Sequence, residues 1–261
     1  MMSDGRMAFS DFKNTVKVFN TKGLEDFQVK MPHYGFDIVH NNVDNTLAVT
    51  SDSHRISCIT IIDIETTQIK KCIALPSSNY GIALNENRLI YVGHKWGIYE
   101  INPLNESITD IVRNETASDS YIATFRDKIY LTNWRKNTVT CYNLQGNILW
   151  TFQKNGVLAN PHGIDVDEIG NLYVVGTSSK NVVAISSDGQ QYKEILSASD
   201  GLIKPFSLHY SESKKQLLVA EFSDKAYDSP FLFRIAGDIE TPGIHRMPLG
   251  NMNFMMRLFE K

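Results

Sequence analysis

Histidine and aspartate are the residues of this chain whose types and spacing are best suited to chemistry. Four of the seven histidines are expected to lie on one face of the fold: His33, His54, His94 and His162. A catalytic zinc ion needs three such ligands to converge at about 2.0 to 2.2 Å. Asp37 and Asp165 each follow a Gly-Phe or Gly-Ile pair, and two carboxylates at close range can act as a general acid and base. Either chemistry requires that the surrounding elements bring these side chains together.

A second set of residues combines aromatic rings with cations. The stretch "NWRKNT" places Trp134 beside Arg135 and Lys136, and "GHKWG" places Lys95 beside Trp96. Aromatic rings among arginines and lysines are suited to stacking splayed nucleic-acid bases. The same residues suit an acidic peptide, through aromatic anchors and arginine pairing. No Gly-x-Ser-x-Gly nucleophile motif, P-loop or dinucleotide fingerprint occurs in the sequence.

Charge and cysteine content narrow the class of protein. The formal net charge is -3, so nucleic acid or membrane would need a local basic patch. The three cysteines, Cys58, Cys72 and Cys141, are an odd number, which argues against a disulfide framework and predicts reduced thiols. Cys58 and Cys72 could lie close on neighbouring strands.

With no apolar run of about 18 residues and no signal-peptide pattern at the start, we expect a cytoplasmic protein.

Apolar segments recur along the chain with a period in the low forties. Five of them follow a small or aromatic residue: 35–38, 81–84, 121–124, 163–166 and 207–210. Each is followed by further short runs of β type, and this period is typical of propeller blades rather than helical repeats. Three units end in a glycine expected to take positive φ in a hairpin: Gly23, Gly146 and Gly189.

We therefore predict an all-β fold, a six-bladed β-propeller with four-stranded antiparallel blades. A β-sandwich is the structural alternative. The first blade is predicted to be incomplete, because its pattern begins with the second strand at Arg6; its innermost strand is then absent from the chain or contributed by the C-terminus. Beyond Ile235 the pattern stops. We expect the propeller to span residues 1–235, and residues 236–261 to form a divergent tail, either ring-closing or disordered.

One segment carries a family resemblance. Residues 160–189, "NPHGIDVDEIGNLYVVGTSSKNVVAISSDG", resemble the NHL repeat, and weaker copies cover almost the whole chain. The chain is similar to the C-terminal propellers of tripartite-motif proteins, particularly the set expanded in bivalve molluscs. WD-repeat propellers share the period, but no blade here carries their Gly-His and Trp-Asp pairs. The resemblance implies recognition of a ubiquitination substrate or an RNA. Ubiquitin-ligase chemistry is implied only for a longer relative with a RING module.

Blade connectivity predicts which side chains become neighbours. Connections from second to third strand, and from blade to blade, emerge on one face, the top face. The second-to-third connections carry Lys13, Arg55, Lys95, Arg135, Lys136, Lys180 and Lys225. Aromatic residues and a histidine expected beside them are Tyr34, Tyr80, Trp96, Trp134, His162 and Phe206. Lys225 apart, these residues form the predicted partner-binding site. The opposite loops carry more acids than cations, which predicts an acidic underside.

The predicted function is a non-catalytic binding propeller that recognises a protein partner through this basic and aromatic face. An RNA-binding domain is the alternative, and a metal-dependent lactonase-like or lyase-like enzyme is a second one. Only His162 is a zinc-type ligand at the inner-strand positions, and Asp165 is expected to accept backbone N–H bonds. A plainer interpretation is also open, in which Trp134 covers a gap between blades and the cations are merely solvated. We expect no cofactor, metal, membrane or small-molecule substrate.

Overall fold

The computed structural model describes most of the chain, as β-strands and short connections. The described residues are 2, 4–11, 14–53, 56–94, 97–113, 116–221, 231–236 and 243–247. For residues 11, 231–236 and 243–247 the structure describes the backbone. The chain divides into two compact units, unit 1 (Met1–Ile129 with Tyr142–Asn147) and unit 2 (Tyr130–Cys141 with Ile148–Lys261).

Twenty-three strands and one short 3₁₀ helix, Ala198–Asp200, occur in the described residues. The first three sheets contain β1 (Met7–Asp11), β2 (Thr15–Phe19) and β3 (Glu25–Lys30); β4 (Tyr34–Asn41), β5 (Thr46–Asp52), β6 (Ser57–Asp63) and β7 (Gln68–Leu75); β8 (Asn79–Asn85), β9 (Arg88–Gly93), β10 (Gly97–Ile101) and β11 (Ile108–Val112). The last three contain β12 (Ile122–Phe125), β13 (Lys128–Asn133), β14 (Thr138–Asn143) and β15 (Ile148–Phe152); β16 (Pro161–Val166), β17 (Leu172–Gly176), β18 (Asn181–Ile185) and β19 (Tyr192–Leu196); β20 (Pro205–Ser211), β21 (Gln216–Glu221), β22 (Phe231–Ala236) and β23 (Gly243–Met247). None of the helices in this described part has the length and apolar character to cross a membrane.

Five four-stranded sheets are present in the described residues, rather than the six predicted blades. The remaining sheet, β1–β2–β3, has three strands. Its first strand, Met7–Asp11, occupies the place that β5 or β9 has in the other sheets, as the sequence pattern at Arg6 indicated. The predicted count of six blades is therefore corrected to five four-stranded blades.

The sixth sheet extends further along the chain than the sequence pattern predicted. Strand β23 pairs antiparallel with β22, with Leu232 opposite Met247 and Ala236 opposite Gly243. This strand lies within 236–261, which we expected to form a divergent tail, either ring-closing or disordered. Its sequence, GIHRM, lacks the run of β-branched and aromatic residues that marks the earlier strands, so backbone pairing rather than apolar pattern defines it.

The apolar core lies between consecutive sheets. In unit 1, one cluster joins the second and third sheets and includes Ile59, Ile73 and Tyr91. In unit 2, Val175 and Val182 of the fifth sheet pack with Leu217 of the sixth. Central strands are covered on both faces, which is why β17 and β18 are buried along their whole length. Such strands appear in the sequence as continuous apolar runs instead of alternating patterns.

Two glycines allow neighbouring innermost strands to approach each other closely. A Cβ atom added to Gly81 of β8 would lie 2.7 Å from the Cα atom of Tyr121. In unit 2, a Cβ atom on Gly163 of β16 would lie 2.7 Å from the backbone nitrogen of Leu208. Because these contacts are to backbone atoms, no side-chain rotation could relieve them. The small residue at the start of the repeated segments is therefore a packing requirement.

Candidate functional site

The candidate site starts from the turn that joins β13 and β14. The side-chain oxygen of Asn133 accepts hydrogen bonds from the backbone N–H groups of Arg135 and Lys136, both at 3.1 Å. This capping by asparagine is a common way to fix a tight turn. The Arg135 guanidinium lies over the Trp134 ring, 5.2 Å from its centre, within the range of a cation–π interaction.

The Trp134 ring also lies alongside His162. These two rings are nearly parallel, with centres 6.4 Å apart and planes 12° from one another. His162 also contacts Phe206, at 4.4 Å between ring centres. Trp134, His162 and Phe206 thus form one row of rings within unit 2, which we call the aromatic row. The tryptophan that the sequence places in a polar turn therefore contacts both a cation and an aromatic ring.

His162 is held in place by polar contacts as well as by rings. Its Nδ1 atom lies 2.9 Å from the carbonyl oxygen of Asn160 and 3.0 Å from the hydroxyl of Thr177. The ring is buried, with 7% of its surface exposed. The Thr177 hydroxyl in turn donates to the carbonyl of Pro205 at 2.6 Å. His162 therefore has the surroundings of a packed structural histidine.

Hydrogen bonds join three successive connections at this end of unit 2. The backbone N–H of Asn160 donates to the side-chain oxygen of Asn137 at 2.8 Å. The N–H of Thr177 donates to the carbonyl of Asn160 at 3.1 Å. The side chain of Ser179 accepts from Ala159 N–H at 3.0 Å. The turns carrying Arg135, Lys136 and Lys180 are consequently held beside the aromatic row.

Four exposed cations lie on the connections at this end of unit 2. They are Arg135, Lys136, Lys154 and Lys180, and we call them the cation group. The Gln153 side chain donates to the Lys136 carbonyl at 2.9 Å, which places the loop carrying Lys154 against the turn. None of the four forms an ion pair with another described residue. Lys154 was not predicted, because the predicted cations were those of the second-to-third connections. It lies in a blade-to-blade connection, and the connectivity rule assigns those connections to the same top face.

Acids at this end of unit 2 are engaged in hydrogen bonds of their own. Glu221 accepts from the backbone N–H groups of Ile203 at 2.6 Å and Lys204 at 3.3 Å. Glu194 accepts from the Asn181 side chain at 2.7 Å. The charge of the cation group is therefore available to an anionic ligand, since exposed ammonium and guanidinium groups attract carboxylates.

Of the predicted site residues in unit 1, Tyr34 and Tyr80 are described, and Tyr80 lies in a group of aromatic rings. Tyr34, at the start of β4, is 57% exposed. Phe36 contacts Tyr80 and Tyr121, with ring centres 5.1 and 5.3 Å apart, and Tyr80 also contacts His94 at 5.8 Å. The remaining predicted residues, Lys13, Arg55, Lys95 and Trp96, lie outside the described residues, as do His54 and Lys225. A surface shared by every blade stays a prediction.

The two candidate catalytic acids are used to join strands. Asp165 accepts hydrogen bonds from the backbone N–H of Val166 at 2.8 Å, from Tyr210 N–H at 2.8 Å and from His209 Nδ1 at 2.9 Å. Asp37 accepts in the same way from Ile82 N–H of the next sheet, at 2.9 Å. The predicted structural role of Asp165 is confirmed.

The environment of Asp165 favours its charged form. Burial alone would raise the pKa of this carboxyl, but the charge and hydrogen bond of His209, with the two backbone N–H donors, outweigh burial and hold the pKa below its ordinary value. Within the described ranges, no three His, Cys, Asp or Glu side chains are grouped so that they could hold a metal ion.

Comparisons with known proteins show the fold class. No protein-family model and no curated protein sequence matches the chain. Solved structures do match. Virginiamycin B lyase from Staphylococcus aureus aligns over 95% of this chain and 82% of its own, at 17% identity and a TM-score of 0.70. A streptogramin B lyase structure aligns over 97% and 83%, at 16% identity and a TM-score of 0.71.

A third solved structure is similar to the same degree. A chain from the nidogen/laminin complex aligns over 88% of this chain and 89% of its own, at 15% identity and a TM-score of 0.71. These neighbours are β-propeller proteins, and the chain accordingly has an all-β propeller fold with four-stranded antiparallel blades. Since they include both lyases and a propeller from a protein complex, the likeness defines the fold and leaves the function to the site.

Proposed function

We propose that this chain is a non-catalytic binding propeller that recognises an acidic segment of a protein partner. The observation that carries the proposal is the cation group, Arg135, Lys136, Lys154 and Lys180, which is exposed and without ion pairs among the described residues beside the aromatic row. A guanidinium held over an aromatic ring is already oriented. It can pair with a carboxylate at a reduced cost in side-chain entropy.

A protein partner is favoured over RNA by the way Trp134 is packed. Base stacking requires an open ring face. The Arg135 guanidinium already lies over the Trp134 ring, and the His162 ring is nearly parallel to it, so the indole is engaged within the chain. An indole held among cations suits a peptide with carboxylates and apolar side chains.

The comparisons and the sequence supply more limited support. A propeller neighbour comes from a complex with a protein partner, so the fold is compatible with protein recognition. The NHL-like segment 160–189 supports a substrate-recognition role like that of tripartite-motif propellers. Ubiquitin-ligase chemistry would then belong to a longer relative. The lyase-like enzyme alternative draws on fold likeness alone, because Asp37 and Asp165 are already bonded to neighbouring strands.

Charge reversal at the site is expected to abolish most binding. In a double variant, Arg135→Glu with Lys180→Glu, affinity for Asp- and Glu-rich peptides should fall at least about tenfold, because like charges across an interface are costly. Binding is measured by fluorescence anisotropy against a peptide panel in which every acidic peptide has an Asn/Gln counterpart. The matched control is Lys214→Glu, an equally exposed cation in the turn at the other end of β20. It should bind as the unaltered chain does.

Two outcomes of this experiment would count against the proposal. Equal affinity of the double variant and the control would show that the cation group does not bind the peptide. Retention of an RNA pool instead of any peptide, with log K falling by about 0.7 per log unit of salt for each phosphate contacted, would favour the RNA-binding alternative.

A further inference from the structure

Two of the three cysteines lie on one face of adjacent strands in the second sheet. Cys58 is on β6 and Cys72 is on β7, and Thr60 of β6 is directly opposite Cys72 in the register of the two strands. Cys58 therefore lies diagonally across from Cys72, since residues two apart on a strand share a face. Diagonal neighbours on one face of a sheet are about 7 to 8 Å apart, so two short side chains meet there only if both turn toward the same point.

A single hydroxyl contacts both sulfur atoms. The Oγ1 atom of Thr60 lies 3.8 Å from the Sγ atom of Cys58 and 3.7 Å from that of Cys72. Ser51 contributes a second polar contact, 3.2 Å from Cys58 Sγ. Both thiols are thus directed to the same point beside Thr60.

The two thiols differ in their access to solvent. Cys72 is exposed, whereas Cys58 has only 2% of its surface exposed. Burial, the largest influence, raises the pKa of the Cys58 thiol. An oxidant in solution therefore reaches Cys72 first, and Cys58 is positioned beneath it as a protonated second thiol. This pairing of an accessible cysteine with a resolving cysteine is the arrangement in which a first oxidation product is converted to a disulfide.

We propose that Cys58 and Cys72 form an oxidative modification site that reacts with hydroperoxides and closes into an intrachain disulfide. The Cys72 thiolate attacks the outer oxygen of the hydroperoxide and breaks its O–O bond, giving a sulfenic acid on Cys72 and an alcohol or water. The Cys58 sulfur then attacks Cys72 Sγ, the S–O bond breaks, and hydroxide leaves with the Cys58 proton as water. The two thiols lose two electrons, and the hydroperoxide gains them.

The bond would join the outermost strand of the second sheet to its neighbour. β7 is an edge strand paired only with β6, so it can separate from the sheet by losing the pairing with that one neighbour. A covalent link at this point restricts that separation. Both cysteines belong to unit 1, whereas the cation group and the aromatic row belong to unit 2. The proposed oxidation site therefore does not depend on the proposed binding function.

The test is thiol mapping of the full chain before and after treatment with hydrogen peroxide. Trypsin cleaves after Arg55, Lys70 and Lys71, which places Cys58 and Cys72 on different peptides. After non-reducing digestion we expect those two peptides to appear as one linked species, while the Cys141 peptide keeps its alkylated thiol. Added dithiothreitol should restore all three thiols.

Two variants make the result decisive. Cys141→Ser should form the linked peptide at the unaltered rate, whereas Cys58→Ser should accumulate sulfenic or sulfinic acid on Cys72 without a link. Serine at position 58 keeps hydrogen bonds available with Ser51 and Thr60, so this variant is expected to fold. Sulfinic acid on Cys72 in the unaltered chain while Cys58 stays fully alkylated, or a disulfide only between two chains, would overturn the proposal.

Discussion

Replacing Gly163 with alanine is expected to destabilise the chain by about 3 kcal/mol, the upper end of what overpacking usually costs. The added Cβ atom would lie 2.7 Å from both the Leu208 nitrogen and the Ser207 Cα atom, distances that packed proteins do not tolerate. Since both contacts are with backbone, β16 and β20 must move apart. That movement would strain the Asp165 hydrogen bonds between the same two strands. Urea unfolding followed by tryptophan fluorescence gives the free energy of unfolding.

The control for this experiment is Gly156→Ala. Gly156 has positive φ, but a Cβ atom there would have no neighbour within 4 Å. Its replacement should cost only the conformational penalty, about 1 kcal/mol. Equal losses in the two variants would show that backbone conformation, not contact between strands, makes glycine necessary at position 163.

Replacing Asp165 with asparagine is expected to cost about 2 kcal/mol at neutral pH. The carboxylate accepts from Val166, Tyr210 and His209, and hydrogen bonds to a charged group contribute more than those between neutral groups. An amide keeps one acceptor oxygen but brings an NH₂ group against donors that need an acceptor. The largest loss should be at the bonds to His209 and Tyr210, both on β20.

The same substitution should alter the acid limb of the stability curve. The folded-state pKa of Asp165 lies below its unfolded value, so its contribution is fully present above the unfolded pKa, near 3.9. It is lost as pH falls through the folded pKa, because the unfolded chain then takes up the proton more readily. The difference in unfolding free energy between the unaltered chain and Asp165→Asn should therefore shrink as pH falls below about 4.

A comparison variant identifies the origin of the effect. Asp127→Asn replaces an exposed aspartate and should leave the unfolding free energy within about 0.5 kcal/mol at every pH. If the difference in unfolding free energy between Asp165→Asn and the unaltered chain stayed constant down to pH 2, the charge of the carboxylate would contribute nothing to stability.

Much of the sheet structure was predictable from the sequence, because each central strand is a short apolar run at a recurring spacing. The segment 163–166 falls within β16, and the glycines predicted to take positive φ in hairpins, Gly146 and Gly189 among them, do so. The exceptions are the last strand and the number of complete sheets. Strand β23 has few apolar residues, and its position depends on pairing with β22. The local sequence pattern does not predict that pairing.

The candidate site was predictable as a set of loops but not as a set of contacts. Trp134, His162 and Phe206 were predicted to share one face, and within unit 2 their rings lie in one row. The stacking of Trp134 on His162 could not be foreseen, since it depends on the distance between the turn after β13 and the start of β16. It also changes the interpretation, because a tryptophan expected to present its face to bases already lies under Arg135 and alongside His162.

The turns that carry the cation group are fixed by residues other than the cations themselves, which affects how the sequence of such a protein can change. Asn137, Asn160 and Thr177 hold the turns through their own hydrogen bonds, while the lysines project from those turns and contribute little to folding. Under the proposed function, changes at Lys136, Lys154 or Lys180 would therefore alter which partner is selected while leaving the scaffold intact. Specificity would then depend on a few exposed positions, with Arg135, which lies over the Trp134 ring, as the one most costly to replace.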